Sequence, residues 1–346
     1  MSTVVHFGNK PEGEGGIASV VRGHLKRFQS GFEVSSATTY NQDANGFLRK
    51  NLVLVRSLRH LFLLPRTTVV HVHLSQRGSL LREGLIATVA KLKKHPVVAT
   101  IHGSSLSTSS ALTELGLRLV LRSVDTVHGF SEAYKQRLSL PASKWEFVPN
   151  DVNVPLAVAP SSQRERVVVF AGQVGHRKGI ELLLDAWRTT DSTDWRLVVA
   201  GVVPKNEAEF VFGNEWPQGS EYLGALSHTD VLKLLSSAMI LVQPSRAEAF
   251  PMSVCEALAN GCAVIGTRVG GMGELLEAAR QTTVDTSATS VAQALQSLMA
   301  DANRLEEQAK AGHQYAQSHL STAVVTSEWA RIYKQVIEKA HDQQSK

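Results

Sequence analysis

Two carboxylates eight positions apart, Glu248 and Glu256, stand in the run Pro244-Ser245-Arg246-Ala247-Glu248-Ala249-Phe250-Pro251-Met252-Ser253-Val254-Cys255-Glu256-Ala257-Leu258-Ala259-Asn260-Gly261. Pro251 suits a first helical turn and Gly261 the position just past a helix end, so the run predicts a helix from about Pro251 to Asn260. Glu248 then lies in the loop ahead of that helix and Glu256 lies on it. Carboxylates so placed can accept hydrogen bonds from sugar hydroxyls. The N–H groups of Ala249, Phe250 and Met252 around Pro251 can face phosphate oxygens. A Glu-x7-Glu spacing by itself carries no specificity.

A second constellation, Phe170-Ala171-Gly172-Gln173-Val174-Gly175-His176-Arg177-Lys178-Gly179, precedes a predicted helix over Ile180 to Trp187. Its glycines and the adjacent Arg177 and Lys178 can neutralise a diphosphate, the ammonium as a point charge and the guanidinium as a fork. The other reading is a solvated basic turn; a place at the carboxyl end of a strand favours ligand binding. A third glycine loop, Gly8-Asn9-Lys10-Pro11-Glu12-Gly13-Glu14-Gly15-Gly16, precedes an amphipathic helix from about Ile17. Gly15 and Gly16 can let backbone N–H groups approach a phosphate at that helix start. The loop matches neither Gly-x-Gly-x-x-Gly nor Gly-x4-Gly-Lys-Ser/Thr, so it supports neither a dinucleotide-binding dehydrogenase nor a P-loop enzyme. His71 and His73 project to one face of a strand as metal ligands do, but no third ligand of clear spacing is visible. The pair reads as core or cleft histidines, and no metal is expected.

The elements that must position these groups alternate. Strands are predicted at Thr3 to Phe7, Thr68 to Leu74, Val97 to His102, Asp125 to Phe130 and Glu146 to Val148, with amphipathic segments between them. The alternation restarts at Arg166 to Phe170 and continues through Trp195 to Ala200, Met239 to Val242 and Ala263 to Thr267. Two parallel, doubly wound Rossmann-like α/β domains follow, because parallel strands need crossover helices. The polar stretch Pro149 to Arg164 is the expected linker. The expected division is 1–158, 164–325 and a last helix within 326–346, with Trp329, Ile332, Tyr333 and Val336 on one stripe, packing back toward the first domain.

The chain has 346 residues and a net charge of +5, divided unevenly: residues 1–150 carry +10 and 151–346 carry −5. A basic half suggests an anionic partner, such as a lipid phosphate, a membrane surface or nucleic acid; the alternative is a solvated basic face. Nucleic acid is disfavoured because no basic and aromatic motif of a known module accompanies the charge. The stretch Phe47 to Arg66 interleaves Arg49, Lys50, Arg56, Arg59 and Arg66 with leucines, and reads either as a helix lying on an anionic membrane or as one whose apolar stripe is core. No run is long enough to span a bilayer and the N-terminus lacks a secretory pattern, so a cytoplasmic protein is expected, with peripheral attachment to the inner face of a membrane as one option. Cys255 and Cys262 are too few for a disulfide framework or thiolate cage, and read as buried thiols.

On these residues the chain resembles the retaining glycosyltransferases of the GT-B fold, family 4. Glu248 and Glu256 match that family's Glu-x7-Glu element. Gly15-Gly16, His102-Gly103, Val148-Pro149-Asn150, Gly172 to Gly179 and Val269-Gly270-Gly271-x-x-Glu274 occur in the family's order. The resemblance implies a nucleoside diphosphate sugar donor (UDP- or GDP-sugar), held mainly by the second domain in a cleft between the two. Glu256 would bind the ribose hydroxyls and Glu248 the transferred sugar. Lys178 and Arg177 would hold the diphosphate, Gly16 would add a backbone contact to it, and His102 would lie near the reacting sugar. It further implies transfer with retention, no cofactor and no bound metal, positive side chains and helix N-termini taking the metal's place. With the basic half, the resemblance implies as acceptor a saccharide or lipid-linked saccharide in bacterial surface-polysaccharide or glycolipid assembly; a soluble small-molecule acceptor is the alternative. The chain departs from the family at Gln173, where Arg is common, and at Asp151, where glycine is. Two rivals remain: an epimerase or hydrolase on the same fold, and a donor-binding protein without transfer.

Overall fold

Runs of Val, Ile and Leu short enough for a strand and apolar on both faces belong inside a parallel sheet covered by helices on both sides. The computed structural model describes residues 2–11, 16–27, 31–40, 47–75, 77–102, 111–213 and 215–344. The first sheet comprises β1 (Ser2–Asn9), β2 (Phe32–Tyr40), β3 (Val69–Leu74), β4 (Val97–Ile101), β5 (Thr126–His128) and β6 (Trp145–Glu146), in the order β2-β1-β3-β4-β5-β6. The second comprises β7 (Glu165–Ala171), β8 (Arg196–Ala200), β9 (Ser220–Gly224), β10 (Ala238–Gln243), β11 (Ala263–Thr267) and β12 (Thr282–Val284), in the order β12-β11-β10-β7-β8-β9. Neighbouring strands pair in parallel throughout, for example His6 opposite His71 and Ile240 opposite Val168. The expected pair of doubly wound α/β units is therefore present.

Strands β2, β9 and β12, each at a sheet edge, do not stand out in the sequence. Phe32–Tyr40, Ser220–Gly224 and Thr282–Val284 are rich in Ser, Thr and Glu and only partly buried, whereas every residue of β3, β4 and β11 is buried. An edge strand has one paired side and less to cover, so the apolar signal fades there.

Strand alternation sorts the first sheet's side chains. One face carries Val5, Phe7, Val70, Val72, Val97, Ala99 and Val127 into a core shared with Leu61, Ile86, Leu117 and Leu121 from the helices Phe47–Leu63, Arg77–Leu92 and Ala111–Arg122. The other face carries Val4, Val69 and Val98 against Val325, Trp329, Ile332, Tyr333 and Val336 of the last helix, Thr322–Gln344. The second sheet packs Val168, Phe170, Leu197, Val199, Ile240, Val242 and Ile265 against Leu183, Trp187, Val291 and Leu295. Trp216, for which the sequence suggests no role, packs on this cluster and donates to the Val211 carbonyl at 3.1 Å.

The chain divides into two compact units, 1–148 with 325–346, and 149–324. The stretch expected as a linker, within 149–164, is instead part of the second unit. Val152 N–H donates to the Leu320 carbonyl at 2.9 Å, and Asp151 accepts from the Thr322 hydroxyl at 2.9 Å. Arg164 is buried and donates to the carbonyls of Ala159 (2.8 Å), Ala238 (3.1 Å) and Asn260 (2.6 Å). Both ends of the stretch are thus bonded to groups of their own unit. Truncating Arg164 leaves three acceptors without their charged donor, so Arg164→Ala is expected to lower the stability of the second unit by about 3 kcal/mol, read by urea unfolding on Trp187 fluorescence. A loss below about 1 kcal/mol would mean water replaces the guanidinium freely.

Candidate functional site

In the second unit the sheet order reverses between β7 and β10, and open parallel sheets take ligands just beyond the carboxyl ends of strands at such a point. The two loops that leave β7 and β10 are the two constellations singled out above. After β7 the chain turns through Gly172 and Gly175 into a 3-10 turn, His176–Lys178, and then the helix Ile180–Thr189. Gly179 sits at φ +72°, where an added Cβ would come within 2.1 Å of the Pro244 carbonyl oxygen, so only glycine lets the loops touch. Arg246 N–H donates to the Arg177 carbonyl at 2.9 Å and its guanidinium to the His176 carbonyl at 2.7 Å.

These contacts bring Lys178 onto Glu248: the ammonium donates to carboxylate Oε1, with both side chains largely buried. Oε1 also accepts from the Ser245 hydroxyl at 2.9 Å. Ser245 in turn receives a hydrogen bond from Gln243 at 2.8 Å, and Gln243 accepts from Ser253 at 3.1 Å. Gly270, at φ +52°, lets its own backbone lie beside Glu248; a Cβ there would fall 1.8 Å from the Glu248 carbonyl oxygen. Arg177 reaches Glu248 Oε2 at 3.8 Å and donates to the Ala247 carbonyl at 3.0 Å and to Gln173 Oε1 at 3.3 Å. Gln173, Arg177, Lys178 and Glu248 therefore form one cluster.

The helix predicted from Pro251 to Asn260 runs Met252–Ala259, with Pro251 and Asn260 as its caps and Gly261 at φ +73° beyond. No side chain caps its start, so the helix presents the positive end of its dipole beside Ala249, Phe250 and Pro251. Glu256, on the helix, accepts a hydrogen bond from His228 Nε2 at 2.8 Å. Burial raises the Glu256 carboxyl above the usual range, opposed by the His228 hydrogen bond. His228 follows a helix cap, Ser227, and belongs to no motif; it is recognisable only in three dimensions.

In the first unit, Gly16 opens the helix Gly16–Arg27 after β1, while Gly15 lies outside the described residues. His102 follows β4, with its N–H on the Leu74 carbonyl at 2.8 Å. It belongs to a group of histidines on the sheet face that meets the last helix. His6 lies opposite His71, and His73 opposite Thr100, which lies opposite His128. His6 is the third nitrogen donor that sequence spacing does not reveal: His6, His71 and His73 each bring a ligand atom within 4.8 Å of the others. Yet His6 Nδ1 and His73 Nε2 stand 2.8 Å apart, a hydrogen-bond distance. Two ligands of a tetrahedral zinc at 2.0–2.1 Å stand roughly 3.3 Å apart, so the pair as placed suits a shared proton better than a shared ion. Desolvation is the main cause holding His6, His71 and His73 well below the ordinary histidine value, His102 at about 3 and His128 at about 4.

Two family models match the chain. One, described as "Glycosyl transferase 4-like domain", covers residues 15–151, and the other, "Glycosyl transferases group 1", covers 157–315. One subunit of the human phosphatidylinositol N-acetylglucosaminyltransferase is 28% identical over 268 residues, 68% of this chain and 50% of that protein. The chain thus spans about half the length of that relative. Among solved structures, a sucrose-phosphate synthase from Thermosynechococcus elongatus has a TM-score of 0.77 at 18% identity, covering 98% of this chain and 100% of that one. Anabaena HepE in complex with UDP and glucose has a TM-score of 0.75 at 15% identity, covering 97% and 100%. At these identities the structural likeness is one of fold.

The neutral histidines make the first unit acid-sensitive. Unfolded, each titrates near 6.5; folded, each stays neutral to far lower pH. Below about pH 6.5 the unfolded chain therefore binds protons that the fold does not, and stability, whole above that pH, falls as pH drops. Each ring contributes up to about 1.4 kcal/mol per pH unit. Urea unfolding followed on Trp329 is expected to weaken steeply from pH 7 to 5.5, with proton uptake on unfolding approaching about five for His6, His71, His73, His102 and His128. Uptake of one proton or fewer would show that the rings are not held neutral.

Proposed function

Because the chain belongs to the group 1 glycosyltransferases and has the two-sheet α/β fold of the GT-B class, we propose that it transfers a sugar from a nucleoside diphosphate sugar to an acceptor hydroxyl, with retention of anomeric configuration. The observation that carries the donor reading is the joining of Lys178, Arg177 and Glu248 at the switch point of the second sheet, beside a helix start that no side chain caps. The ammonium of Lys178 and the guanidinium of Arg177 hold the diphosphate; the helix start near Pro251 adds backbone donors. Glu248 accepts from hydroxyls of the transferred sugar, and Glu256, steadied by His228, accepts from the ribose hydroxyls. In the first unit, Gly16, at a helix start, offers a backbone donor, and His102 is the side chain that contacts substrate. HepE, a structure of like fold, was solved with UDP and glucose, which supports a uridine donor for this chain.

In the reaction the acceptor oxygen bonds to the anomeric carbon as the bond from that carbon to the diphosphate oxygen breaks. The acceptor's proton leaves with the diphosphate, and the sugar keeps its configuration. Charge developing on the departing diphosphate is met by Lys178, Arg177 and the helix dipole, the work a metal ion does in other transferases, so no metal is required. Gln173 stands where the family commonly has Arg, and Arg177 donates to its side-chain oxygen. That contact supports Arg177 as the second cation.

The acceptor is a lipid-linked saccharide, of the kind used in surface-polysaccharide or glycolipid assembly. The human relative is named for transfer to phosphatidylinositol, which supports a lipid acceptor. No helix among the described residues is long and apolar enough to cross a membrane, but the helix Phe47–Leu63 exposes Leu52, Val55, Phe62 and Leu63 beside Arg56 and Arg59. Leu81 and Leu92 of the helix Arg77–Leu92 are also exposed, and Lys93 lies over the Phe62 ring at 4.4 Å. Apolar side chains among cations suit an anionic lipid surface.

Thermal unfolding with UDP, GDP, ADP and their sugars tests the donor. One nucleotide at about a hundred times its Kd should add about 2.7 kcal/mol of stability, with or without Mg2+. Glu256→Ala should weaken nucleotide binding, whereas Glu248→Ala should abolish transfer and spare the bare nucleotide; equal loss of nucleotide binding in both would sink the role assignment. For the membrane, sedimentation with vesicles containing phosphatidylserine should capture the protein at low salt. Phe62→Ser/Leu63→Ser should release it, and equal capture by neutral vesicles would overturn the charge-assisted reading.

A further inference from the structure

Seven side chains of the first unit, on the sheet face that meets the last helix, form one chain of hydrogen bonds. From His102 Nε2 it passes to His73 Nδ1 (2.8 Å), from His73 Nε2 to His6 Nδ1 (2.8 Å), and from His6 Nε2 to the Tyr333 hydroxyl (3.5 Å). Tyr333 meets His71 Nδ1 at 2.8 Å, His71 Nε2 meets the Thr100 hydroxyl at 2.7 Å, and Thr100 meets His128 Nδ1 at 3.1 Å. The chain ends where His128 Nε2 meets the Val148 carbonyl at 2.8 Å.

That last group has no proton to give, and this fixes every link. A carbonyl only accepts, so His128 carries its proton on Nε2. A neutral ring with Nε2–H has a bare Nδ1, so Thr100 must donate to His128 and, with its single proton spent, must accept from His71 Nε2–H. By the same step Tyr333 donates to His71 and accepts from His6 Nε2–H, His6 accepts from His73, and His73 accepts from His102. Burial keeps the rings neutral, so each has one protonated and one bare nitrogen. The reverse direction is closed because it would need Val148 to donate. His102 is left with a proton on Nε2 and a bare Nδ1, and no described residue donates to that Nδ1.

We propose that the Val148 carbonyl, acting through His128, Thr100, His71, Tyr333, His6 and His73, locks His102 as the Nε2–H tautomer and so presents its Nδ1 as a hydrogen-bond acceptor for a substrate hydroxyl. Thr100 and Tyr333 are positioning residues, and Tyr333 makes the last helix part of the site's chemistry although it touches no substrate. The lock stands on the hydrogen-bond chain and the neutrality of its buried rings; its consequence for transfer rests on the proposed contact of His102 with substrate.

Ring-nitrogen 15N NMR of the full-length protein with labelled histidine separates protonated from bare nitrogens. In the unaltered protein His6, His71, His73, His102 and His128 should all show Nε2–H and bare Nδ1. Thr100→Val removes one hydroxyl at constant shape and opens the reverse direction, so Nδ1–H should appear at His71, His6, His73 and His102, while His128 keeps Nε2–H. Tyr333→Phe should release only His6, His73 and His102, leaving His71 and His128 locked. Thr100→Ser should restore the single tautomer. A His102 that is Nδ1–H in the unaltered protein, or that stays Nε2–H in both variants, would overturn the lock, as would rings whose lone pairs are taken by a bound metal that a chelator removes. In the transfer assay kcat should fall at least about twofold in Thr100→Val, since two directions of equal free energy leave half the molecules with the wrong tautomer. Nucleotide affinity should not change. Released tautomers with unchanged kcat would leave the lock standing and remove His102 from the reaction.

Discussion

Seventy residues separate Lys178 from Glu248, and their contact is the constraint on which the second unit's site depends. A largely desolvated ion pair adds little net stability, because the cost of stripping water from both charges offsets their attraction. Its effect is positional. It fastens the loop after β7 to the loop after β10, and the backbone contacts of Gly179 with Pro244 and of Gly270 with Glu248 allow that approach at van der Waals range. The Ser245, Gln243 and Ser253 hydrogen bonds then hold the carboxylate from behind, so Glu248 has a set orientation before any ligand arrives. Preorganised charge of this sort costs no reorganisation when new charge develops beside it.

The two units use opposite electrostatics. The second gathers formal charges at a sheet switch point. The first buries titratable rings and keeps them uncharged, so that hydrogen-bond direction, not charge, carries information across the sheet. Parallel register is what makes this possible: it sets His73, Thr100 and His128 in one row and His6 and His71 in the next, on the face that receives Tyr333. A one-residue slip in any of these strands would turn its polar groups to the opposite, mainly apolar face.

Much of this is legible in the residues alone. The central strands, the helix that carries Glu256, and the glycine turn that carries Lys178 follow from apolar runs and from Pro251 and Gly261 at helix ends. The edge strands are not legible, because Phe32–Tyr40 and Ser220–Gly224 need bury only part of their surface and read as polar loops. The histidine face is half legible: His71 and His73 alternate within one strand, whereas His6 joins them only through inter-strand register. His228 and Ser245 have no local signal, since their meaning lies in contacts with Glu256 and Glu248. The stretch 149–164 misleads because Pro and Ser mark a linker and a surface strap alike, and only contacts distant in sequence, those of Asp151, Val152 and Arg164, tell them apart.

If the loop cluster after β7 and β10 is a diphosphate site, Lys178 must distinguish two phosphates from one. Calorimetric titration of the preferred nucleoside diphosphate and its monophosphate into the unaltered protein and Lys178→Met tests this directly. The unaltered protein is expected to favour the diphosphate by about tenfold or more, roughly 1.4 kcal/mol, and Lys178→Met to erase that preference while leaving monophosphate affinity unchanged. A preference that survives the loss of Lys178, or one that never existed, would contradict the diphosphate site.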